Sequence, residues 1–276
     1  MAKGAFVNYE EVRKKVLHTA ACMFLEKGFT AVSTRSIAAG AGCSESAMLR
    51  AFGSKEGILC ELVEYVLHSQ FDSAQELLRG VTKDPVLFYA AETTLQLYMA
   101  EGDEAVRDLY SAAYSLPESA ELIRRAVSDE LLGIVFKDYL PDFEQKDFYK
   151  LEIASGGIIR GYMTVPCTPD FPIEEKVQYF LENSLRVFRL PDNKIAEAIQ
   201  FVRRFDYPSI AKRTIDNMLI FLQRAESGSP QSEETKEIQS QELMSVLLGA
   251  MESDPQCAYL REHPSFDEII AKYKSK

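Results

Sequence analysis

Tryptophan is missing from the 276 residues, histidine occurs three times, and none of the five cysteines stands in a CxxC pair. Each scarcity excludes a kind of chemistry. His18, His68 and His263 are scattered, and no paired-carboxylate or metal-spacing motif accompanies them. General acid–base and Lewis-acid catalysis therefore have no pattern to stand on, and no metal and no cofactor is expected. Cys22, Cys43, Cys60, Cys167 and Cys257 are odd in number and unevenly spaced, which argues against a disulfide framework or a zinc site. The first three read as small packing residues of helices. Cys167, close to Pro166 and Pro169, reads as a loop thiol worth testing for reactivity. No apolar run reaches the roughly 18 residues a membrane span needs, and the opening residues Met1 to Phe6 lack the apolar core of a secretory signal. The expectation is a cytoplasmic protein that makes no membrane contact.

What is present is ordinary for a globular chain: 46% hydrophobic and 26% charged residues, in a length sufficient for one large or two smaller cores. The charge is not evenly spread. The net is -11 overall, yet residues 1–60 hold eight Lys or Arg against five Glu, a net of +3, and the remainder carries -14. The field is polarised toward the N-terminal end, where an anion would be met. A net of +3 is modest, so phosphate contacts per subunit should be few. A dimer would double both the contacts and the salt sensitivity.

Within that basic end, Val12, Val16, Leu17, Ala20, Ala21, Phe24 and Leu25 form an apolar stripe of helical period that stops at Gly28. Ser33 and Thr34 are good N-cap types, and Ile37, Ala38 and Ala41 then recur at helical spacing. Gly42 follows where that short helix must end, because glycine alone enters the left-handed region without a Cβ clash. Cys43 plugs the turn, and Ser44 caps a second short helix through Glu45, Ser46, Ala47, Met48, Leu49, Arg50, Ala51 and Phe52. Met48 and Phe52, four apart, point inward; Glu45, Ser46, Leu49 and Arg50 lie nearer the outside. Two short helices across a glycine turn make a helix-turn-helix, whose second helix enters a DNA major groove. Gly53 then breaks the chain, and Ser54 caps a further helix that starts at Lys55. A cation there opposes the helix dipole, so a solvent-only role explains it poorly.

The run Arg13-x-x-Val16-Leu17-x-x-Ala20-Ala21-x-x-Phe24-x-x-x-Gly28-Phe29, then Thr34-x-x-Ile37-Ala38-x-x-Ala41-Gly42-Cys43-Ser44, then Phe52-x-Ser54-Lys55-Glu56, resembles the TetR family of transcriptional regulators. It is long and free of gaps, but it covers about a quarter of the chain. The resemblance implies an all-α protein: a helix-turn-helix DNA-binding domain over residues 9–68, with the motif at 33–52, then a larger helical effector-binding and dimerisation domain over 69–226. A linker and C-terminal extension would follow at 227–276. It also implies that Thr34, Arg35 and Lys55 touch phosphates, which set register without reading sequence. Base reading would fall on Ser44, Glu45, Ser46, Ala47, Leu49 and Arg50.

Two positions depart from the family pattern. Leu49 stands where a tyrosine often packs on the DNA backbone; it either meets a thymine methyl or packs on the support helix. Glu45 either gains from the helix dipole or accepts from cytosine N4. Arg50 could reach phosphate or guanine, and phosphate is the expectation.

Downstream, the periodicity predicts a helix over 56–79 joining the two domains, then helices near 85–100, 103–115, 118–139, 146–164, 173–189, 192–205 and 208–226, with proline at the junctions. Val86 to Leu190 holds fifteen of the 29 Phe and Tyr residues, which is either a plain aromatic core or a pocket with a few polar groups. For a pocket the candidates are Tyr98, Tyr110, Tyr114, Glu152, Arg160 and Tyr162. Gly156, Gly157 and Gly161 cost a helix about 1 kcal/mol each relative to alanine, so a close approach by a helix or ligand should offset them. Together with the family layout, this assigns 146–164 and 173–189 to dimerisation. The polar run from Ala225 to Gln241 reads as a linker, and the tail beyond it is expected to pack back on the body.

These readings converge on a homodimeric repressor of a palindromic double-stranded DNA operator, released by a small, partly apolar effector. A corepressor-dependent regulator or an activator fits the same sequence. The alternative from another class is an all-helical ligand-binding protein or enzyme whose DNA-binding head is not used.

Overall fold

A computed structural model describes residues 9–64, 82 and 84–226. Every regular element among them is helical. The first four form the head: α1 (Tyr9–Lys27), α2 (Thr34–Gly40), α3 (Glu45–Phe52) and α4 (residues 55–64). The continuation of α4 expected to residue 79, and the linker and tail expected from 227, lie outside the described residues.

The body starts at α5 (Pro85–Gly102), where Pro85 occupies the first turn and Asp84 caps it by accepting from Val86 N at 2.9 Å. Asp103 caps α6 (Glu104–Ser115) in the same way, accepting from Ala105 N at 2.8 Å. Both carboxylates satisfy N–H groups that a helix start leaves unpaired. Next comes α7 (Pro117–Ala126), again opened by proline. The single helix expected over 118–139 is interrupted here: a π-helical stretch, Val127–Leu132, leads into the short α8 (Gly133–Val135), after which the chain turns. The last helices are α9 (Gln145–Thr164), α10 (Ile173–Val187), α11 (Asp192–Val202) and α12 (Tyr207–Glu226).

The body's core sits among α5, α8, α9, α10 and α11 and is aromatic at its centre. Phe136 stacks on Phe188 with ring centroids 3.8 Å apart, and Tyr89 meets both rings edge-on. The head has its own core of Val16, Ala20, Phe24, Ile37, Met48 and Ile58. That core does not end at the head. Ala113 of α6 and Ile123 of α7 are buried in it, and Leu25 of α1 shares a small cluster with Met99, Val106 and Ala211. Head and body are packed on one another through α6, α7 and α12.

Candidate nucleic-acid interface and effector site

Local hydrogen bonds build the reading head. Ser33 Oγ accepts from Ser36 N while Ser36 Oγ accepts from Ser33 N, both at 3.1 Å, a reciprocal box that starts α2. Gly42 takes φ +65° and Cys43 N–H donates back to Ala38 O at 3.0 Å, closing the turn. Ser44 Oγ accepts from Ala47 N at 3.2 Å to start α3. Gly53 ends α3 at φ +73°, and Ser54 Oγ accepts from Gly57 N at 2.9 Å to start α4. Arg13 then staples three helices: it donates to Ala51 O at 2.7 Å, pairs with Glu61, and lies 4.7 Å over the Phe52 ring.

That frame presents α3 outward. Met48 is fully buried, Phe52 is half-buried, and Ser44, Glu45, Ser46, Leu49 and Arg50 are exposed, with Ala47 half-buried between them. Leu49, 39% exposed, is a large apolar side chain left at the surface. Arg35 is exposed and Thr34 half-buried at the start of α2.

Glu45 has a partner that neither sequence reading foresaw, since its Oε1 accepts from the Thr34 hydroxyl at 2.5 Å. The pair ties the starts of α2 and α3 together. Lys55 is engaged as well. Its Nζ donates to Phe29 O and Val32 O, both at 2.9 Å, and lies 4.0 Å over the Phe29 ring. Burial pushes the Lys55 pKa down, and the nearby Asp108 charge opposes that. A cation at the start of α4 is thus accounted for by two carbonyls of the α1–α2 loop, without a phosphate.

In the body, the sequence-derived candidates do not all come together. Tyr114 and Glu152 share one neighbourhood, which also holds Glu92, Gln96, Tyr89 and Ser184. Gln96 donates to Glu92, Tyr114 OH donates to Gln96 Oε1 at 3.3 Å, the Tyr89 and Ser184 hydroxyls lie 2.9 Å apart, and Glu152 Oε2 accepts from Ser155 Oγ at 2.5 Å. Burial pushes both carboxyls up to about 7, countered only in part by the Gln96 amide at Glu92 and by Ser155 and the Arg124 charge at Glu152. The Tyr114 and Tyr89 hydroxyls are pushed up too, first by burial and then by these carboxylates. Tyr98 stacks on Tyr207 at 5.1 Å, and Tyr110, which also acts on the Tyr114 hydroxyl, has its own OH 3.9 Å from Met99 Sδ. Arg160 is exposed. Tyr162 accepts from Asn183 Nδ2 at 2.9 Å beside an open groove of about 510 Å³ lined by Gly157, Gly161, Val165 and Phe171.

Glu92 and Gln96 were missed, although a signal existed. In the apolar helix Pro85–Gly102 they form a polar i, i+4 pair with no charged neighbour before Glu101. Lys176 was missed as well. Only 1% exposed, it donates to Glu101 Oε2 at 2.8 Å and to Val165 O at 2.5 Å. Glu101 also accepts from Cys167 N at 3.0 Å, so the loop with Cys167 is bound to α5 and α10. Burial pushes the Cys167 thiol up, which disfavours the reactive thiolate.

The glycines of α9 differ from one another. A Cβ at Gly156 would sit 2.9 Å from Glu152 Oε1, so that glycine makes room for the buried carboxyl. At Gly157 and Gly161 a Cβ would meet nothing within 4 Å. They share a face with Ile153, 57% exposed, and Val165, 54% exposed, beside Tyr179 of α10, 46% exposed. Among the described residues no cluster of His, Cys, Asp or Glu could hold a metal ion, and no helix is long and apolar enough to cross a membrane.

Residues 16–62 match the family described as bacterial regulatory proteins, tetR family. No curated protein matches the chain. Among solved structures, that of RolR in complex with resorcinol aligns with a TM-score of 0.52 at 16% identity, over 71% of this chain and 95% of RolR. A gamma-butyrolactone receptor described as ArpA-like aligns at 0.38 and 15% identity, over 72% of this chain and 97% of that one. The RolR alignment shows a shared fold that extends well beyond the head. Residues 16–62 thus carry the helix-turn-helix region of the tetR family, and the helical body shares its fold with RolR.

Proposed function

We propose that the chain is a homodimeric repressor that holds a palindromic operator with two copies of α3 and lets go when a small, partly apolar effector enters the body. The observation that carries this reading is the presentation of α3. It is capped at its start, pinned by Met48 and by Arg13, and turns Ser44, Glu45, Ser46, Leu49 and Arg50 to the surface. Arg35 and Arg50 would meet phosphates. Thr34 and Lys55 would support the frame, since both are engaged within it. The division of the chain into a head over 9–68, a body over 69–226 and an extension over 227–276 belongs to this proposal.

Dimerisation would use the exposed face of α9 and α10. Two glycines with open space above them, flanked by Ile153, Val165 and Tyr179, admit a second helix pair at close range. Repeated heads on a two-fold axis then call for half-sites about one helical turn apart, or a multiple of it. The effector would take the place of internal partners around Glu92, Gln96, Tyr114 and Glu152, where acceptors stand beside aromatic rings. RolR, which shares the fold, has resorcinol as its ligand. A small aromatic molecule bearing hydrogen-bond donors suits this acceptor-rich cluster.

The test is selection of DNA sites by the purified full chain from a random pool at several salt concentrations. A two-fold symmetric consensus is expected, and absence of any sequence preference at every salt concentration would remove the reading.

A further inference from the structure

We propose that Asp108 is a positioning residue that sets how the reading head sits on the body, so that events at the effector cluster reach DNA through α6. The inference rests on the DNA-binding reading above and names the residue by which that head is governed.

Asp108 lies in α6, and both of its oxygens are used across the boundary. Oδ2 accepts from Thr30 N at 2.6 Å and Oδ1 accepts from the Thr30 hydroxyl at 2.8 Å. The neighbouring glycine is shaped to this contact. Gly28 has φ +80°, and a Cβ there would lie 2.8 Å from Asp108 Oδ2, so any side chain would both strain the backbone and push the carboxylate away. The gripped segment joins α1 to α2 and runs into Ser33, the cap of α2, followed by Thr34 and Arg35. Lys55 of α4 takes the carbonyls of Phe29 and Val32 in the same segment. The loop that aims the helix-turn-helix is thus held by α4 from within the head and by α6 from the body. A second tie runs the other way: Glu118 N, at the start of α7, donates to Glu56 Oε1 of α4 at 2.9 Å.

The same α6 carries Tyr114 six residues later. Its ring packs against both the head core and the body core, and its hydroxyl donates to Gln96 of the effector cluster. Six residues of helix span about 9 Å, too short and stiff a rod to absorb a shift of Tyr114 before it reaches Asp108. A molecule that displaces the Tyr114 hydroxyl from Gln96 therefore moves the grip on Thr30.

The test uses the full chain with the operator found by site selection and a scrambled duplex of equal length. Asp108→Ala and Thr30→Val should each weaken operator binding about tenfold while leaving the scrambled duplex within about twofold, because phosphate-contacting groups are untouched. Thr30→Ser, which keeps both donors, should restore operator affinity. Tyr114→Phe should weaken operator binding severalfold in the wild-type background and leave it unchanged in Asp108→Ala, since both act through one helix. A merely structural role would lower thermal stability and show no such non-additivity. Equal losses on both duplexes, or additive effects of Tyr114→Phe and Asp108→Ala, would overturn the proposal. If the wild-type chain selects no site, the DNA reading falls separately, and hydrogen exchange decides the grip. Amide exchange over residues 28–35 should speed at least tenfold in Asp108→Ala, and unchanged protection there overturns it.

Discussion

Replacing Glu152 by glutamine should stabilise the protein at alkaline pH and do nothing at acid pH. Glu152 is 4% exposed, accepts from Ser155, and has no cation in contact. Burial raises its pKa from 4.5 to about 7, against smaller opposing effects from Ser155 and Arg124. The folded chain therefore keeps this proton at pH values where the unfolded chain has released it. Below about pH 4.5 both states hold the proton and the group contributes nothing. Between 4.5 and about 7 stability falls as pH rises, and above 7 the full cost is present.

A displacement from 4.5 to about 7 corresponds to roughly 3 kcal/mol, at about 1.36 kcal/mol per pH unit. Glutamine keeps the shape and an acceptor for Ser155 but cannot ionise. Glu152→Gln should gain roughly 3 kcal/mol over wild type at pH 8, or about 6–12 °C in Tm for a domain of this size, with the gain shrinking toward zero as pH approaches 4.5. Urea unfolding of both proteins across pH 5 to 8 measures it. A difference that stays constant over that range would show that Glu152 is not held protonated by burial, and the reasoning would fail. The slope that survives in Glu152→Gln should come from Glu92, whose carboxyl burial raises to about 7 as well.

Three further outcomes follow from the site geometry. Lys55→Met should destabilise the head by about 1–3 kcal/mol through loss of two bonds to carbonyls, and weaken DNA binding without changing its salt dependence. A fall of about one in the slope of log affinity against log salt would instead mark Lys55 as a phosphate contact. Glu45→Gln should leave the base preference of selected sites unchanged, because Glu45 Oε1 is already bound by Thr34; a change at a cytosine position in repeated site selection would make it a base reader. Gly161→Glu should leave the monomer folded, because its Cβ meets open space, while weakening dimerisation about a hundredfold by sedimentation equilibrium. A dimer of unchanged affinity would move the interface away from α9.

The caps and turns of the head were legible because each is a local device. Ser33, Ser44 and Ser54 bond N–H groups three residues onward, and Gly42 and Gly53 adopt the left-handed φ that their positions require. Proline marked the starts of α5 and α7 for the same local reason. What sequence could not show depends on distant partners. Asp108 and Thr30 are 78 residues apart, and Lys55 finds its carbonyls 23 and 26 residues upstream. The π-helical stretch after Ala126 packs against α9, and no periodicity announced it. The pocket candidates are polar aromatics and charges within an apolar region, a pattern that cannot say which of them the fold brings together; Tyr114 and Glu152 share one neighbourhood. Tyr98 lies against Tyr207, Tyr110 near Met99, and Arg160 at the surface, placements that depend on helices distant in sequence.

The size of the Glu152 effect bears on switching. Moving an operator complex a hundredfold requires about 2.7 kcal/mol of difference between a ligand's affinities for two conformers. Above pH 7 the buried Glu152 carboxylate carries a cost of roughly 3 kcal/mol. A ligand whose donors reach Glu152 in one conformer and not in the other can draw on a difference of that size from a single residue. It need not push the head directly. Under the proposal above, Tyr114, which shares the carboxylate's surroundings and lies six residues beyond Asp108 on α6, would carry a change of partners at Glu152 toward Thr30.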